Sequence, residues 1–400
     1  MPFFRRFVAC DGASQDGAVT EPLVINREGI DALISALIER GYEVVGPTVR
    51  SQTILYDTIT STADLPIGIR DRQEAGTYRL EDRDDDALFG YVVGPQSWKK
   101  FLTPPGTVFW KGLRTEDGFE TVEPEEPPSY AFFGARPCEV AAMKIQDDVY
   151  LPVEDGIYTE RRKKSFTVAV NCTEPAATCF CASVGTGPDV SEGYDIALTE
   201  VLGREHHYFL AEAGTDEGAE VLAALVAREA RDEEVVTARR LVVHAADHMG
   251  RTLETDGLKE LLYANLSNPY WDEIAERCLA CTNCTMVCPT CFCSTVEDRQ
   301  ALDGSSAERV RTWDSCFTLD FSYIHGGPVR SSVSSRYRQW LTHKLASWQD
   351  QFDSLGCVGC GRCITWCPVG IDITREAAVI RERDIRRVAV ETPAVKEAVE

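Results

Sequence analysis

The sequence predicts an α+β chain, with a mixed α/β region over residues 1–250 followed by a mainly α-helical region over 251–380. Three observations carry this reading. The first 250 residues alternate short β-branched and aromatic runs with amphipathic stretches of helical period. Beyond residue 250 apolar residues recur at helical spacing. Eleven of the sixteen cysteines lie after residue 277, so the two regions differ in chemistry as well as in pattern.

The elements follow in order. Asn26 can cap a helix carrying Ile30, Leu33, Ile34, Leu37 and Ile38 on one face and stopped by Gly41. YEVVG (42–46), TILYDTI (53–59), SYAFFGA (129–135), FTVAVN (166–171) and YDIALTEV (194–201) read as strands. Residues 115–128, acidic and holding Pro124, Pro127 and Pro128, read as a loop or linker. A helix is expected over 218–231, where Val221, Leu222, Leu225 and Val226 keep helical spacing, and others over 257–266 and through WDEIAER. Tyr337, Leu341, Leu345, Trp348 and Phe352 form one further helical stripe, and 381–400 reads as a charged tail.

Four hundred residues allow two or three domains. The net charge of −23 argues against a nucleic-acid or anionic-membrane partner. No apolar run approaches the roughly 20 residues that cross a bilayer. MPFFRRFVACDG lacks a signal peptide's apolar stretch, so the expected location is the cytoplasm. Sixteen cysteines in a long chain without an export signal point to metal or redox chemistry rather than to disulfides.

The decisive text is Cys278-x2-Cys281-x2-Cys284-x3-Cys288-Pro289, repeated as Cys357-x2-Cys360-x2-Cys363-x3-Cys367-Pro368. Two-residue spacers let a turn of backbone aim three sulfurs at one [4Fe–4S] cubane. The fourth cysteine, before proline, ligates the other cluster in two-cluster ferredoxins. The expected ligands are therefore Cys278, Cys281, Cys284 and Cys367 for one cluster, and Cys357, Cys360, Cys363 and Cys288 for the other. Gly356, Gly359 and Gly361 suit a loop whose amides approach cluster sulfurs. Zinc, which takes four ligands from two separated CxxC pairs, explains the duplicate register less well. The long spacer and flanking helices suggest a helical dicluster domain rather than the compact β-hairpin ferredoxin.

Seven further cysteines form a looser set: Cys138, Cys172, Cys179 and Cys181 near strand ends, with Cys291, Cys293 and Cys316 beyond the first motif. They could hold a third iron–sulfur cluster, although C-x6-C-x-C matches no standard pattern, or pack as buried thiols. Cys10 stands alone. His206–His207 and the i,i+4 pair His244/His248 lack an acidic third ligand and suit surface or packing roles. No GxGxxG or P-loop is present, so no flavin, nucleotide or catalytic centre is expected in this chain.

FFGARPCEVAAM (132–143), VNCTEPAATCFCASVGTGPD (170–189), CLACTNCTMVCPTCFC (278–293), WDSC (313–316) and CVGCGRCITWCPVGIDI (357–373) resemble the β subunit of sulfhydrogenases. These are cytoplasmic, NAD(P)-linked nickel–iron hydrogenases. DLPIGIRD (64–71), GTYRLEDR (76–83) and GPQSWKKFLTPP (94–105) extend the likeness over nearly the whole chain. The iron–sulfur subunit of anaerobic sulfite reductase is similar over much of the same text. The resemblance implies that the eight motif cysteines are cluster ligands. It also implies partners: a flavin- and NAD(P)-binding diaphorase subunit, with the small and large subunits of a nickel–iron hydrogenase. The alternative it leaves is a relay subunit of a sulfite- or sulfur-reducing complex.

Overall fold

A computed structural model of the chain describes residues 21–123, 126–203 and 206–384. The strands are β1 (Leu23–Ile25), β2 (Glu43–Arg50), β3 (Thr53–Thr58), β4 (Ile69–Glu74), β5 (Thr77–Asp82), β6 (Thr107–Thr115) and β7 (Gly118–Val122). They continue as β8 (Tyr130–Ala135), β9 (Phe166–Val170), β10 (Ile196–Leu202), β11 (His207–Ala213), β12 (Arg228–Glu229), β13 (Ser294–Gln300) and β14 (Ser306–Trp313), before a short hairpin at 323–328.

An eight-stranded mixed sheet of order β12-β1-β11-β10-β9-β8-β2-β3 frames the N-terminal region. Its centre, β10-β9-β8-β2, is parallel. Central strands must bury both faces, and β9 is buried at every residue. β2 turns into β3 through Ser51 and Gln52, both at positive φ, as a two-residue hairpin requires. The helix Arg27–Glu39 forms where Asn26 accepts the Gly29 amide at 3.0 Å, and it buries Ile30, Leu33, Ile34 and Leu37 against the sheet. Ile38, expected on the same face, is 41% exposed. Most strands and helices expected from the sequence appear within a residue or two, but the strand expected over 42–46 runs on to Arg50, and two further corrections stand. The helix expected over 218–231 ends at Ala223, leaving Val226 95% exposed, and the chain then adds β12 to the sheet edge. Within 115–128, Gly118–Val122 is a strand because it finds β6 as a partner. Pro124 lies outside the described residues, as do Cys10, the N-terminal segment and the tail from 385.

The C-terminal region packs the helices Leu258–Ala264, Tyr270–Arg277, Val333–Thr342 and Ile373–Glu382 around Leu261, Leu262, Trp271, Ile274, Leu341 and Ile380. Their apolar stripes meet because residues three and four apart share one helix face. The stripe Tyr337–Phe352 runs through a π-helical turn at His343–Ser347. The spacer between the two motifs is not all helical. β13 and β14 pair there and join β6 and β7 in one four-stranded antiparallel sheet. The two regions are thereby interleaved, and Phe180, from the N-terminal half, is buried in the helical core. Among the described residues, no helix is long and apolar enough to cross a membrane.

Candidate iron–sulfur site

Both cysteine motifs build the same local backbone. The helix Tyr270–Arg277 ends on Cys278, after which Ala280 and Thr282 take positive φ and the short helix Asn283–Met286 carries Cys284. In the second motif Gly359 and Gly361 take positive φ at the corresponding positions, and the helix Arg362–Thr365 carries Cys363. The alternation of left-handed residues curls each loop round its cysteines and turns backbone amides towards sulfur. The Ala280 amide donates to Cys278 Sγ at 3.4 Å, and the Ile371 amide to Cys367 Sγ at 3.3 Å.

The fold brings the two motifs side by side. Cys278, Cys281, Cys284, Cys363 and Cys367 line one cavity, with Tyr337 and Trp340 on its apolar wall. Burial pushes the Cys284 thiol up, and the charges of Cys278, Cys367 and Cys281 add to the rise. Burial likewise raises Cys363, with Cys357, Cys360 and Cys288 as charged neighbours, and raises Cys357 to about 12. Cys367 thus shares a cavity with the first three cysteines of motif one, as does Cys363 of motif two. Cys288 bonds Thr290 and Lys344, both of which donate to the Gly356 carbonyl at the start of motif two. Cys281 is exposed, so the first set opens to the surface, whereas Cys288 is buried.

The electrostatics at Cys288 were not legible as a motif. Lys344 is 5% exposed, and its Nζ donates to Cys288 Sγ at 3.2 Å, Thr290 Oγ1 at 2.9 Å and the Gly356 carbonyl at 3.3 Å. Among the described residues, no carboxylate pairs with it. Burial opposes its charge, but the Cys288, Cys291 and Cys357 thiolates outweigh this and hold its pKa above the usual lysine value. The neighbouring Cys291 thiol and the Lys344 charge hold the Cys288 thiol well below its ordinary value, against the opposing effect of burial. A buried cation whose charged partner is a thiol rather than a carboxylate marks a place where negative charge on sulfur is expected. One signal pointed to it: Lys344 lies three residues from Leu341 and four from Trp348, a charge on an apolar helix stripe.

The seven looser cysteines separate into two groups. Cys291 neighbours Cys288, and Cys293 neighbours Cys316, with Lys344 among the charges that reach both pairs. Cys138, Cys172, Cys179 and Cys181 lie apart from these, at the ends of β8 and β9 and against the Cys357–Cys363 loop. The histidines do not converge: His207 pairs with Glu200 at 2.8 Å, and the His248 ring lies tilted against His244 with centroids 3.9 Å apart. Among the described residues, no three His, Cys, Asp or Glu side chains are grouped to hold a single metal ion. A cubane holds its thiolates at four separate corners, and the curled loops, amide-to-sulfur contacts and buried lysine fit such a donor set.

Two interleaved four-cysteine loops beside a shared apolar wall define an iron–sulfur electron-transfer protein, and residues 277–371 match the family of 4Fe-4S dicluster domains. The chain belongs to the sulfhydrogenase β-subunit family. It is 30% identical over 312 residues to sulfhydrogenase 2 subunit beta of Pyrococcus furiosus, which covers 76% of this chain and 90% of that protein. No solved structure matches the chain.

Proposed function

We propose that this chain relays electrons between two modules, a flavin- and NAD(P)-binding diaphorase subunit on one side and the small and large subunits of a nickel–iron hydrogenase on the other. The coupled reaction is H2 oxidation with NAD(P) reduction, or its reverse. The observation that carries this reading is the family membership, since the relative is by name a sulfhydrogenase subunit. In this reading Cys278, Cys281, Cys284 and Cys367 hold one [4Fe–4S] cluster, and Cys357, Cys360, Cys363 and Cys288 hold the other. Bound there, each cluster supplies a one-electron carrier. The chain's own residues hold the thiolates, bury Cys288 and place the Lys344 charge beside it. The exposed Cys281 and Leu279 put the first set where a partner can approach, and the second set lies deeper. Residues 251–380 are then the electron-carrying unit, which residues 1–250 frame.

The test uses the assembled complex with Cys360→Ser. H2-dependent NAD(P) reduction should stop, while each half-reaction, assayed with an artificial dye at its own end, survives. Assembly of the variant is checked by size-exclusion chromatography, because a lost cluster could release the subunit. Coupled turnover persisting in an assembled complex that lacks the cluster would show that electrons bypass this chain. A partner carrying sirohaem in place of nickel and iron would shift the assignment to the sulfite-reducing alternative.

A further inference from the structure

We propose that Cys138, Cys172, Cys179 and Cys181 hold a third [4Fe–4S] cluster, with the buried Arg136 as its counter-charge. This rests on the iron–sulfur relay reading and extends it, because it separates four of the seven looser cysteines from Cys291, Cys293 and Cys316.

The placement begins with the parallel sheet. β8 and β9 run in the same direction, so their C-terminal ends bring the segments after them to one place. A bulge at Gly134, φ +84°, bends the end of β8 just before Arg136, and Cys138 stands in the first turn of the helix Pro137–Tyr150. Cys172 lies just past β9, held by its amide on the Pro188 carbonyl at 3.0 Å. Cys179 and Cys181 come from the next loop, anchored by the Phe180 amide on the Gly359 carbonyl at 2.8 Å. The four cysteines are 5–8% exposed. Cys138 and Cys181 pack in one buried cluster with Val358 and Trp348, against which Cys360 lies. Cys179 Sγ lies 4.0 Å from the Cys360 carbonyl.

Buried thiols also pack without holding anything. Packing thiols need no counter-charge, whereas a buried arginine does. Arg136 is 3% exposed, and its guanidinium hydrogen-bonds the carbonyls of Phe89 at 2.7 Å, Tyr91 at 2.5 Å and Asn171 at 3.5 Å, with Cys172 Sγ 3.9 Å away. Its Nε is buried with no partner among the described residues. Glu139, the carboxylate beside it, takes the Arg136 amide, Tyr56 and the Arg362 guanidinium instead. Glu139 and Asp71 reach Arg136 only through space. Four thiolates around a cubane would bring net negative charge to the guanidinium's own side, where no carboxylate bonds it among the described residues. The backbone is shaped for close approach as well. A Cβ on Gly187 would come within 3.1 Å of Cys181 Sγ, and one on Gly359 within 2.6 Å of the Cys181 backbone. The site abuts Cys360, so it would continue the relay from the second motif towards the sheet.

Native mass spectrometry of the anaerobically purified full-length chain, with iron counted in parallel, tests this. Three clusters and about twelve iron atoms are expected. The Cys172→Ser/Cys181→Ser variant should keep two clusters and about eight irons, whereas Cys293→Ser/Cys316→Ser should keep three. Two clusters in the unmodified chain overturn the inference and leave the relay reading standing. A zinc mass at the site, or loss of the third cluster in the Cys293/Cys316 variant, overturns it as well. A chain holding no cluster at all brings down the relay reading too. Should the double variant not fold, Cys172→Ser alone decides, since one altered corner must change the third cluster's EPR signal. An unchanged signal overturns the assignment.

Discussion

At the scale of single residues, the centre of the molecule is organised by cations that lack carboxylate partners. Lys344 reaches Cys288 because the π-helical turn at His343–Ser347 turns Lys344, Leu345 and Ala346 together into the core. A positive charge beside a cluster ligand stabilises the reduced cluster, which carries more negative charge. At an effective dielectric constant near 20, a charge roughly 4–8 Å from the cluster is worth on the order of 2–4 kcal/mol. That corresponds to roughly 90–170 mV for a one-electron couple. Lys344→Met should therefore make the potential of the cluster held by Cys357, Cys360 and Cys363 more negative by that order, and Lys344→Arg should shift it far less. An EPR-monitored redox titration reads this. An unshifted potential in cluster-replete Lys344→Met protein would remove Lys344 from the tuning of this site.

At the scale of elements, the two motifs share a backbone but not its surroundings. Ala280 and Thr282 bear positive φ with ordinary side chains, where their loop faces the surface. Gly359 and Gly361 occupy the same conformation where their loop is pressed on residues 178–181, so a Cβ would meet the Cys181 backbone at 2.6 Å and the Thr178 carbonyl at 2.4 Å. The glycines thus serve this packing as well as the turn. Gly359→Ala adds left-handed strain of roughly 1–2 kcal/mol to overpacking of roughly 1–3 kcal/mol. It should lower the melting temperature of the anaerobic holoprotein by several degrees, whereas Ala280→Gly should leave it unchanged or slightly raised. Equal melting temperatures for Gly359→Ala and the parent chain would show that the two loops are not pressed together as described.

At the scale of the whole molecule, the chain is tied across its own length. β6 and β7 come from residues 107–122 and join β13 and β14 from residues 294–313, while Phe180 enters the helical core. In the proposed assignment Cys288 and Cys367 extend the same exchange between the motifs. The proposed crossed ligation predicts that Cys288→Ser perturbs the cluster of Cys357, Cys360 and Cys363 and spares that of Cys278, Cys281 and Cys284. Mössbauer and EPR spectra of the variant distinguish the two. A lesion confined to the first-motif cluster would mean that each motif closes on itself.

The sequence alone determined what depends on short spacing. Cysteines two and three residues apart, a capping Asn26 and β-branched runs act within a turn or a strand, so their meaning survives without knowledge of the fold. The eight motif cysteines, the strands at 42–46, 53–59, 129–135, 166–171 and 194–201 and the family resemblance were legible in this way, whereas the helices Pro137–Tyr150 and Asp232–Asp247 and the strands β4 to β7, β13 and β14 were not. Tertiary structure decided whatever depends on a distant partner. Gly118–Val122 became a strand because β6 offers an edge, and the helix begun at Asp216 stopped at Ala223, with β12 then pairing on β1. Lys344 and Arg136 read as ordinary charges until the fold buried each beside a sulfur, with no carboxylate among the described residues pairing with its side chain. Burial and the charges gathered around a group set its role, and both come from residues far apart in the chain.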